Sequence, residues 1–412
     1  MYKPNDEATI LKPLSRDRHF PAFHVVAKPV GSLCNLDCSY CYYLEKERLY
    51  AGEKFRMDSA VLESFVKQYI AGQQIEDVHF LWQGGEPTLL GLEYFQRIVE
   101  LQRTNAGGKR IHNALQTNGF YLDEAWCKFL RENEFLVGIS IDGPAHLHDP
   151  YRVTKGGAPT HAKVLAAIEL LRKHDVAFNA MIVVHPVNVG HPIEVYSFLK
   201  DCGVRHMQVA PIVERWIPES NQALAPANRT DTAVVTPWSV NAEAYGQFLI
   251  AIFDHWLKAD VGKVFVQIFD TALESWMGLE PSLCVFRKEC GNALAVERNG
   301  DVYACDHYVF PQFRRGNLQH EPLVQLLESP PQRAFGQNKN DSLPSQCRKC
   351  DVLFACRGEC PKNRFITTDA GEPGLNYLCP AYLAFFRHID APMQKLAAVV
   401  QAQLATSSPI DQ

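Results

Sequence analysis

Cys34, Cys38 and Cys41 stand in a Cys-x3-Cys-x2-Cys run. Three thiolates packed this closely can hold three corners of one metal cluster, and a cubane [4Fe–4S] cluster takes four. With three supplied, one iron stays open to a substrate or cofactor. An open coordination position marks a reacting site, as it does for zinc. The competing reading is a structural zinc with its fourth ligand elsewhere, although zinc pairs are more often spaced Cys-x2-Cys.

A second field holds eight of the thirteen cysteines: Cys284, Cys290, Cys305, Cys347, Cys350, Cys356, Cys360 and Cys379. Thiolates as crowded as those of Cys347-x2-Cys350-x5-Cys356-x3-Cys360 repel one another unless metal-bound. Eight is two sets of four, which suits two more iron–sulfur cubanes or two four-cysteine zinc sites. The first twenty residues are charged and contain prolines, with no apolar export segment. Clustered cysteines in such a chain read as metal ligands and not as disulfides. Cys127, beside Trp126 and Leu130 on an apolar helix face, reads as core, and Cys202, before Gly203, as a helix-end residue.

Something must position these thiols. The spacing predicts strands at 23–30, 78–82, 113–117, 137–141, 177–184 and 206–213. Helices are predicted from 58 to about 71, with Asp58 as N-cap and Gly72 just past the end, and near 91–103, 123–133, 160–173 and 193–201. Strand–helix alternation of this kind implies parallel strands with crossover helices, here a partial (β/α)6 barrel. Polar and glycine residues collect where the strands end: Cys34, then Gly84-Gly85-Glu86-Pro87, Gln116-Thr117-Asn118-Gly119, Ser140-Ile141-Asp142-Gly143-Pro144, His185-Pro186-Val187-Asn188 and Ala210-Pro211. Barrel enzymes build their sites at that end.

The expected organisation is an extension (1–22), the barrel (23–240), a bridge with a helix at 243–259 and an apolar stretch at 264–277 (241–283), a cysteine-rich module (284–385), and a closing helix and tail (386–412). Residues 214–240, rich in Pro, Ala, Asn and Thr, read as an irregular insertion at the site end. The net charge is 41 − 46 = −5 with no long basic run, which argues against a nucleic-acid partner. No apolar stretch approaches the roughly 20 residues of a membrane span. The expectation is a cytoplasmic protein with no membrane partner.

The Cys-x3-Cys-x2-Cys loop followed by Tyr42 and Tyr43, with Gly84-Gly85-Glu86-Pro87 intact, resembles the radical S-adenosylmethionine (SAM) superfamily. That resemblance implies that the open iron chelates SAM. Electron transfer then releases a 5′-deoxyadenosyl radical that abstracts a hydrogen atom from the substrate. It also implies that the loop of Gly84, Gly85 and Glu86 holds SAM's amino group and that Ser140 and Arg152 meet its carboxylate and ribose end. Tyr40 would meet the adenine through its backbone, and Val213 would line the adenine pocket.

The second field resembles the SPASM module. The resemblance implies one auxiliary [4Fe–4S] cluster on Cys284, Cys290, Cys305 and Cys360 and another on Cys347, Cys350, Cys356 and Cys379, three clusters in all. Among SPASM proteins the chain is most similar to the anaerobic sulfatase-maturating enzymes. The likeness is carried by Trp82-Gln83-Gly84-Gly85-Glu86-Pro87-Thr88, Asn299-Gly300-Asp301-Val302-Tyr303-Ala304-Cys305-Asp306-His307-Tyr308 and Gly374-Leu375-Asn376-Tyr377-Leu378-Cys379. Such enzymes oxidise a Cys or Ser of an unfolded sulfatase polypeptide to Cα-formylglycine. The family resemblance gives Asp306 the base role, with His307 its local competitor, and Tyr43 the contact to the target peptide. A flavodoxin or ferredoxin would be the reductant. Two rival readings are a maturase that crosslinks a different peptide and a zinc-rich scaffold that binds unfolded clients.

Overall fold

Capped amphipathic helices between β-branched strands give, in the computed structural model, an alternation of parallel strands and covering helices. The structure describes residues 22–50, 52, 55–217, 222–223 and 234–406. The expected extension, Ala22 apart, and the last six residues of the tail lie outside the described residues.

Six strands form the barrel sheet: β1 His24–Lys28, β2 Asp77–Trp82, β3 Arg110–Thr117, β4 Leu136–Ser140, β5 Phe178–Val184 and β6 His206–Pro211. Each pairs in parallel with the next. The helices between them are α1 Ser59–Gly72, α2 Leu92–Asn105, α3 Glu124–Glu132, the short α4 Ala145–His148, α5 His161–Lys173 and α6 Pro192–Asp201. Asp58 caps α1 by accepting from Ala60 N and Val61 N at 3.0 and 2.9 Å. Val61, Leu62, Phe65, Val66, Tyr69 and Ile70 form the buried stripe of α1, as their spacing predicts. Gly72 is the helix's last residue and not a cap beyond it. Its small size admits Val324, whose Cγ2 would stand 2.8 Å from a Cβ there.

The two faces of the sheet differ. Phe80 and Trp82, Leu115, Val137 and Ile139, and Ile182 and Val184 are buried beneath the helices, whereas Leu81, Ala114, Gln116, Ser140 and Met181 on the opposite face are half-buried. Successive strand residues point to opposite faces, so this second set lines an accessible lumen.

Residues 214–240 are not wholly irregular: among those described, β7 Arg215–Ile217 pairs antiparallel with β8 Gln222–Ala223 and with β9 Val234–Val235. Next come α7 Ala242–Ala259, β10 Phe265–Val266, which pairs in parallel with β6, and α8 Gln267–Trp276.

Most strands of the second cysteine field extend the barrel sheet, apart from a two-stranded ribbon of Ile366–Thr367 and Pro373–Leu375. Strand β11 Ala293–Glu297 pairs in parallel with β1, from His24↔Ala293 to Lys28↔Glu297. Strands β12 Asp301–Tyr303 and β13 Arg314–Asn317 then add antiparallel, so one ten-stranded sheet runs from β10 to β13. The otherwise unpaired edge of β1 is thereby covered. The closing helix, Cys379–Thr406, begins before the expected boundary at 386, and it packs on α7 and α8. No described helix is long and apolar enough to cross a membrane.

Candidate active site

After β1 the chain enters the cysteine loop, which is sewn to the segment beyond α4. Asp37 N donates to Val153 O at 2.9 Å, Ser39 N to Tyr151 O at 3.3 Å, and Cys41 N closes on Cys38 O at 2.9 Å. Cys34, Cys38 and Cys41 are all half-buried free thiols. Cys34 Sγ faces Leu36 N at 3.4 Å and Asn118 Nδ2 at 3.7 Å. Burial pushes Cys34 and Cys41 up to about 11 and Cys38 up to about 12. Such thiols stay protonated until a cation is beside them, so metal capture here releases protons.

The Gly84-Gly85-Glu86 turn after β2 lies against this loop. Gly85 N donates to Gly31 O at 2.7 Å and Glu86 N to Leu33 O at 2.9 Å. A Cβ on Gly85 would overlap the Leu33 carbonyl oxygen, and one on Gly84 (φ 149°) would reach 2.7 Å from Gly31 O. These glycines permit a close approach to the cysteine loop's own backbone. The Glu86 carboxylate is buried and fully engaged. It accepts from Thr88 N (3.1 Å), Thr88 Oγ1 (2.6 Å), Thr117 Oγ1 (2.7 Å) and Asn118 N (2.7 Å), tying the end of β2 to the end of β3. Burial raises its pKa despite those donors.

At the end of β4 stands Asp142, which is fully buried. Its carboxylate takes a two-pronged contact from Arg152, Nε at 2.8 Å and Nη2 at 3.1 Å, a hydrogen bond from Val183 N at 2.9 Å, and the Tyr40 hydroxyl. His185 Nε2 lies 3.7 Å away. Burial raises the Asp142 pKa, but Arg152 and His185 outweigh it and hold the carboxyl far below the usual range. Arg152, expected at a cofactor carboxylate, therefore has two donors committed to Asp142. Its charge still reaches the cysteine loop, where it lowers Cys38 and Cys41. Tyr40 is tethered by its side chain, which keeps its backbone in the loop between Cys38 and Cys41. Ser140 accepts from Gln116 Nε2 at 3.0 Å on the lumen face.

A cavity of about 230 Å³ opens beside the loop, lined by Cys38, Tyr40, Cys41, Tyr42, Val213, Glu214, Trp238, His307 and Lys362, among others. Val213 itself is buried. Lys362 Nζ pairs with Glu214 Oε1 at 2.8 Å, joining the end of the barrel to the second cysteine field. Asp306 is held from two sides: Tyr42 Oη donates to its Oδ2 at 2.7 Å, and Lys28 Nζ pairs with its Oδ1. Burial raises the Asp306 pKa, and the Lys28 charge more than reverses this, so the carboxyl is ionised. Burial lowers His307 to about 4, leaving a neutral ring against Tyr42, 5.4 Å between centroids.

Tyr43, expected at the target peptide, is only 2% exposed, with its hydroxyl on Glu297 and Lys28 Nζ 4.3 Å above its ring. Tyr42 is the member of the pair that lines the cavity. Spacing and motifs alone also passed over Lys28, Asp142 and Glu297. A lysine closing an apolar strand, and an acid within Ser140-Ile141-Asp142-Gly143, were the available signals.

The eight cysteines of the second field divide spatially. Burial raises Cys290, Cys305 and Cys360, and Cys284 adds to the rise in each. Burial likewise raises Cys356 and Cys379, with further contributions from Cys347 in both. Cys347, Cys350, Cys356 and Cys379 line one cavity of about 380 Å³. All thirteen cysteines are free thiols. Tetrahedral zinc with Zn–S of 2.3 Å would hold its sulfurs about 3.8 Å apart. Among the described residues, only His146, His191 and Glu194 bring three ligand atoms within 4.8 Å. Among the described residues no three cysteine sulfurs meet that spacing. Cys127 is buried in the core, and Cys202 ends α6.

Residues 29–199 match the radical SAM superfamily, and residues 284–351 match SPASM, an iron–sulfur cluster-binding domain. The chain is 46% identical over 387 residues to a serine-type anaerobic sulfatase-maturating enzyme of Bacteroides thetaiotaomicron, spanning 93% of this chain and 94% of that one. It is 34% identical over 373 residues to a cysteine-type enzyme of Clostridium perfringens, 89% of this chain and 96% of that one. A solved structure of native anSMEcpe with bound AdoMet and Cp18Cys peptide superposes with a TM-score of 0.81 at 32% identity, covering 92% of this chain and all of the other. Streptococcus suis SuiB, bound to its precursor peptide SuiA, shares the fold at a TM-score of 0.60 and 14% identity. This chain belongs to the anaerobic sulfatase-maturating enzymes, within the radical SAM superfamily.

Proposed function

We propose that this protein oxidises a Cys or Ser of an unfolded sulfatase polypeptide to Cα-formylglycine in the cytoplasm, with a flavodoxin or ferredoxin as electron donor. A reducing compartment suits a chain of free, metal-binding thiols. Cys34, Cys38 and Cys41 would hold the SAM-binding cluster. Cys284, Cys290, Cys305 and Cys360 would hold the first auxiliary cluster, and Cys347, Cys350, Cys356 and Cys379 the second. Ser140, Arg152, Val213, the Gly84-Gly85-Glu86 turn and the backbone at Tyr40 surround the place for SAM. When bound, SAM and the clusters supply hydrogen-atom abstraction from Cβ and an acceptor for one electron.

The observation that carries the reading is Asp306. Raising a thiol or alcohol to the aldehyde level removes a hydrogen atom from Cβ, a proton from S or O, and one electron. The proton needs a positioned base. Asp306 is an ionised carboxylate held by Lys28 and Tyr42, adjacent in sequence to Cys305. Lys28, buried at the end of β1, keeps it charged when vacant, and Tyr42 aims it from the cavity wall. Tyr43 braces this arrangement through Glu297 and through its ring beneath Lys28.

The test is Asp306→Asn in cluster-loaded protein, assayed without oxygen with dithionite, SAM and a Cys-x-Pro-Ser-Arg peptide. 5′-Deoxyadenosine should still form, while aldehyde product falls by about a hundredfold or more, the usual weight of a general base. Full aldehyde yield would remove Asp306 as the base. Deoxyadenosine with a crosslinked product mass from the wild type would replace formylglycine with a different modification.

A further inference from the structure

Three residues stand side by side on the lumen face of adjacent strands: Gln116 on β3 is in register with Gly138 on β4, and Gly138 with Asn179 on β5. Gly138 has no left-handed backbone conformation that would demand glycine. Its lack of a side chain serves space instead, the other reason for a glycine within a strand. Gln116 lies across it, with Nε2 bonded to Ser140 Oγ at 3.0 Å. A Cβ on Gly138 would overlap Gln116 Oε1 and lie 3.5 Å from Asn179 Oδ1. Two carboxamide oxygens thus converge over one bare patch of backbone.

Asn179 is 8% exposed, and its Oδ1 is buried with no hydrogen-bond partner among the described residues. Buried carbonyl oxygens are normally satisfied, and an orphan calls for an explanation. Lys28 and Glu297, partners in register on β1 and β11, belong to the same face of the sheet, and Lys28 holds Asp306. The orphan oxygen therefore stands on the same face of the sheet as the lysine that holds the base.

We propose that Gln116 and Asn179, converging over Gly138, form a subsite that holds a backbone peptide group of the substrate polypeptide, with Asn179 Oδ1 accepting its N–H. This rests on the reading of the substrate as an unfolded chain. Neutral carboxamides suit a neutral peptide group, whose donor and acceptor they match. They are a poor match for SAM's ammonium and carboxylate, which call for charged partners. Reading backbone and not side chains also suits an enzyme that takes an extended segment, since main-chain hydrogen bonds recognise any sequence in that conformation.

The test uses cluster-loaded protein and a fluorescein-labelled Cys-x-Pro-Ser-Arg peptide, followed by anisotropy, with SAM affinity measured separately by equilibrium dialysis. Asn179→Leu keeps the volume and removes the orphan oxygen, so the fold should be at least as resistant to urea as the wild type. Peptide Kd should rise about tenfold, the weight of one lost neutral hydrogen bond, and SAM affinity should hold within about twofold of the wild type. Gly138→Ala, which pushes Gln116 aside, should weaken peptide binding in the same direction. Unchanged peptide Kd in Asn179→Leu would overturn the subsite, as would a fall in SAM affinity matching the fall for peptide. Failure of the wild type to bind the peptide at all would overturn the sulfatase-substrate reading and the subsite with it.

Discussion

Replacing Asp142 with Asn should be among the most damaging single changes in the barrel, although Asp142 carries no chemistry of its own. The substitution keeps the shape and the contact with Val183 N but removes the charge that two Arg152 donors share at 2.8 and 3.1 Å. Arg152 is 6% exposed, so its guanidinium would be left buried without a counter-charge. Breaking one side of a buried pair costs about 3–5 kcal/mol, a large share of the roughly 5–15 kcal/mol that holds a domain folded. Urea unfolding of the cluster-loaded protein, kept anaerobic, would measure it. The double variant Asp142→Leu/Arg152→Met should recover much of that loss, because it removes both charges together. The Asp142 carboxyl sits far below its ordinary range because Arg152 and His185 outweigh burial. A depressed carboxylate contributes stability above its unfolded pKa and loses it only as pH falls through the folded value. The cost of Asp142→Asn should therefore be flat from pH 5 to pH 9. A cost below about 1 kcal/mol, or no recovery in the double variant, would refute the reasoning.

Two further outcomes follow from the geometry. Gly85→Ala would drive a methyl group into the Leu33 carbonyl and displace the loop bearing Cys34. Iron content should fall by about a third, one cubane of three, with SAM binding lost and the auxiliary clusters retained; full iron and normal SAM affinity would show that the loop can give way. Glu297 is pushed up to about 7 by burial, against the opposing charges of Lys28 and Arg298. An acid whose folded pKa is raised binds an extra proton when folded, so its protonated form favours folding at low pH, and stability falls as pH climbs from about 4.5 to 7. Glu297→Gln should remove that slope, leaving the variant more stable than wild type at pH 8 by up to about 3 kcal/mol relative to their difference at pH 4.5. Parallel stability profiles for the two proteins would show that Glu297 is ionised in the folded state at pH 5.

The parts legible in the sequence were those set by local spacing. Cysteine intervals do not depend on fold, so the three-thiolate loop and the crowded field of eight are recognisable from the order of residues alone. Period and capping are equally local: Asp58 and the Val61-to-Ile70 stripe define α1 without reference to its neighbours. What escaped were consequences of long-range pairing. Nothing near Ala293–Glu297 marks it as the parallel neighbour of β1, because any apolar strand can cover an open sheet edge. Lys28, read as a strand residue, acquires its meaning only when Asp306 arrives beside it. Tyr42 and Tyr43 are adjacent and chemically alike. Their opposite fates, one on the cavity wall and the other buried on Glu297, follow from which side of the loop faces β11.

That pairing also bears on how the base is placed. Asp306 follows Cys305, whose thiol lies with Cys284 and Cys360, and Cys360 lies between ligands of the other set in the chain. Neither group of four can close without bringing together segments far apart in sequence. Thiols pushed well above their ordinary range by burial gain little from proximity until a metal takes their protons. Metal capture would therefore add free energy to this part of the fold, where β11 pairs with β1 and β12 with β11 ahead of Asp306. On the function proposed above, Asp306 directly follows a ligand of the cluster that would accept the electron, so the proton and the electron that the oxidation removes would leave to neighbouring groups.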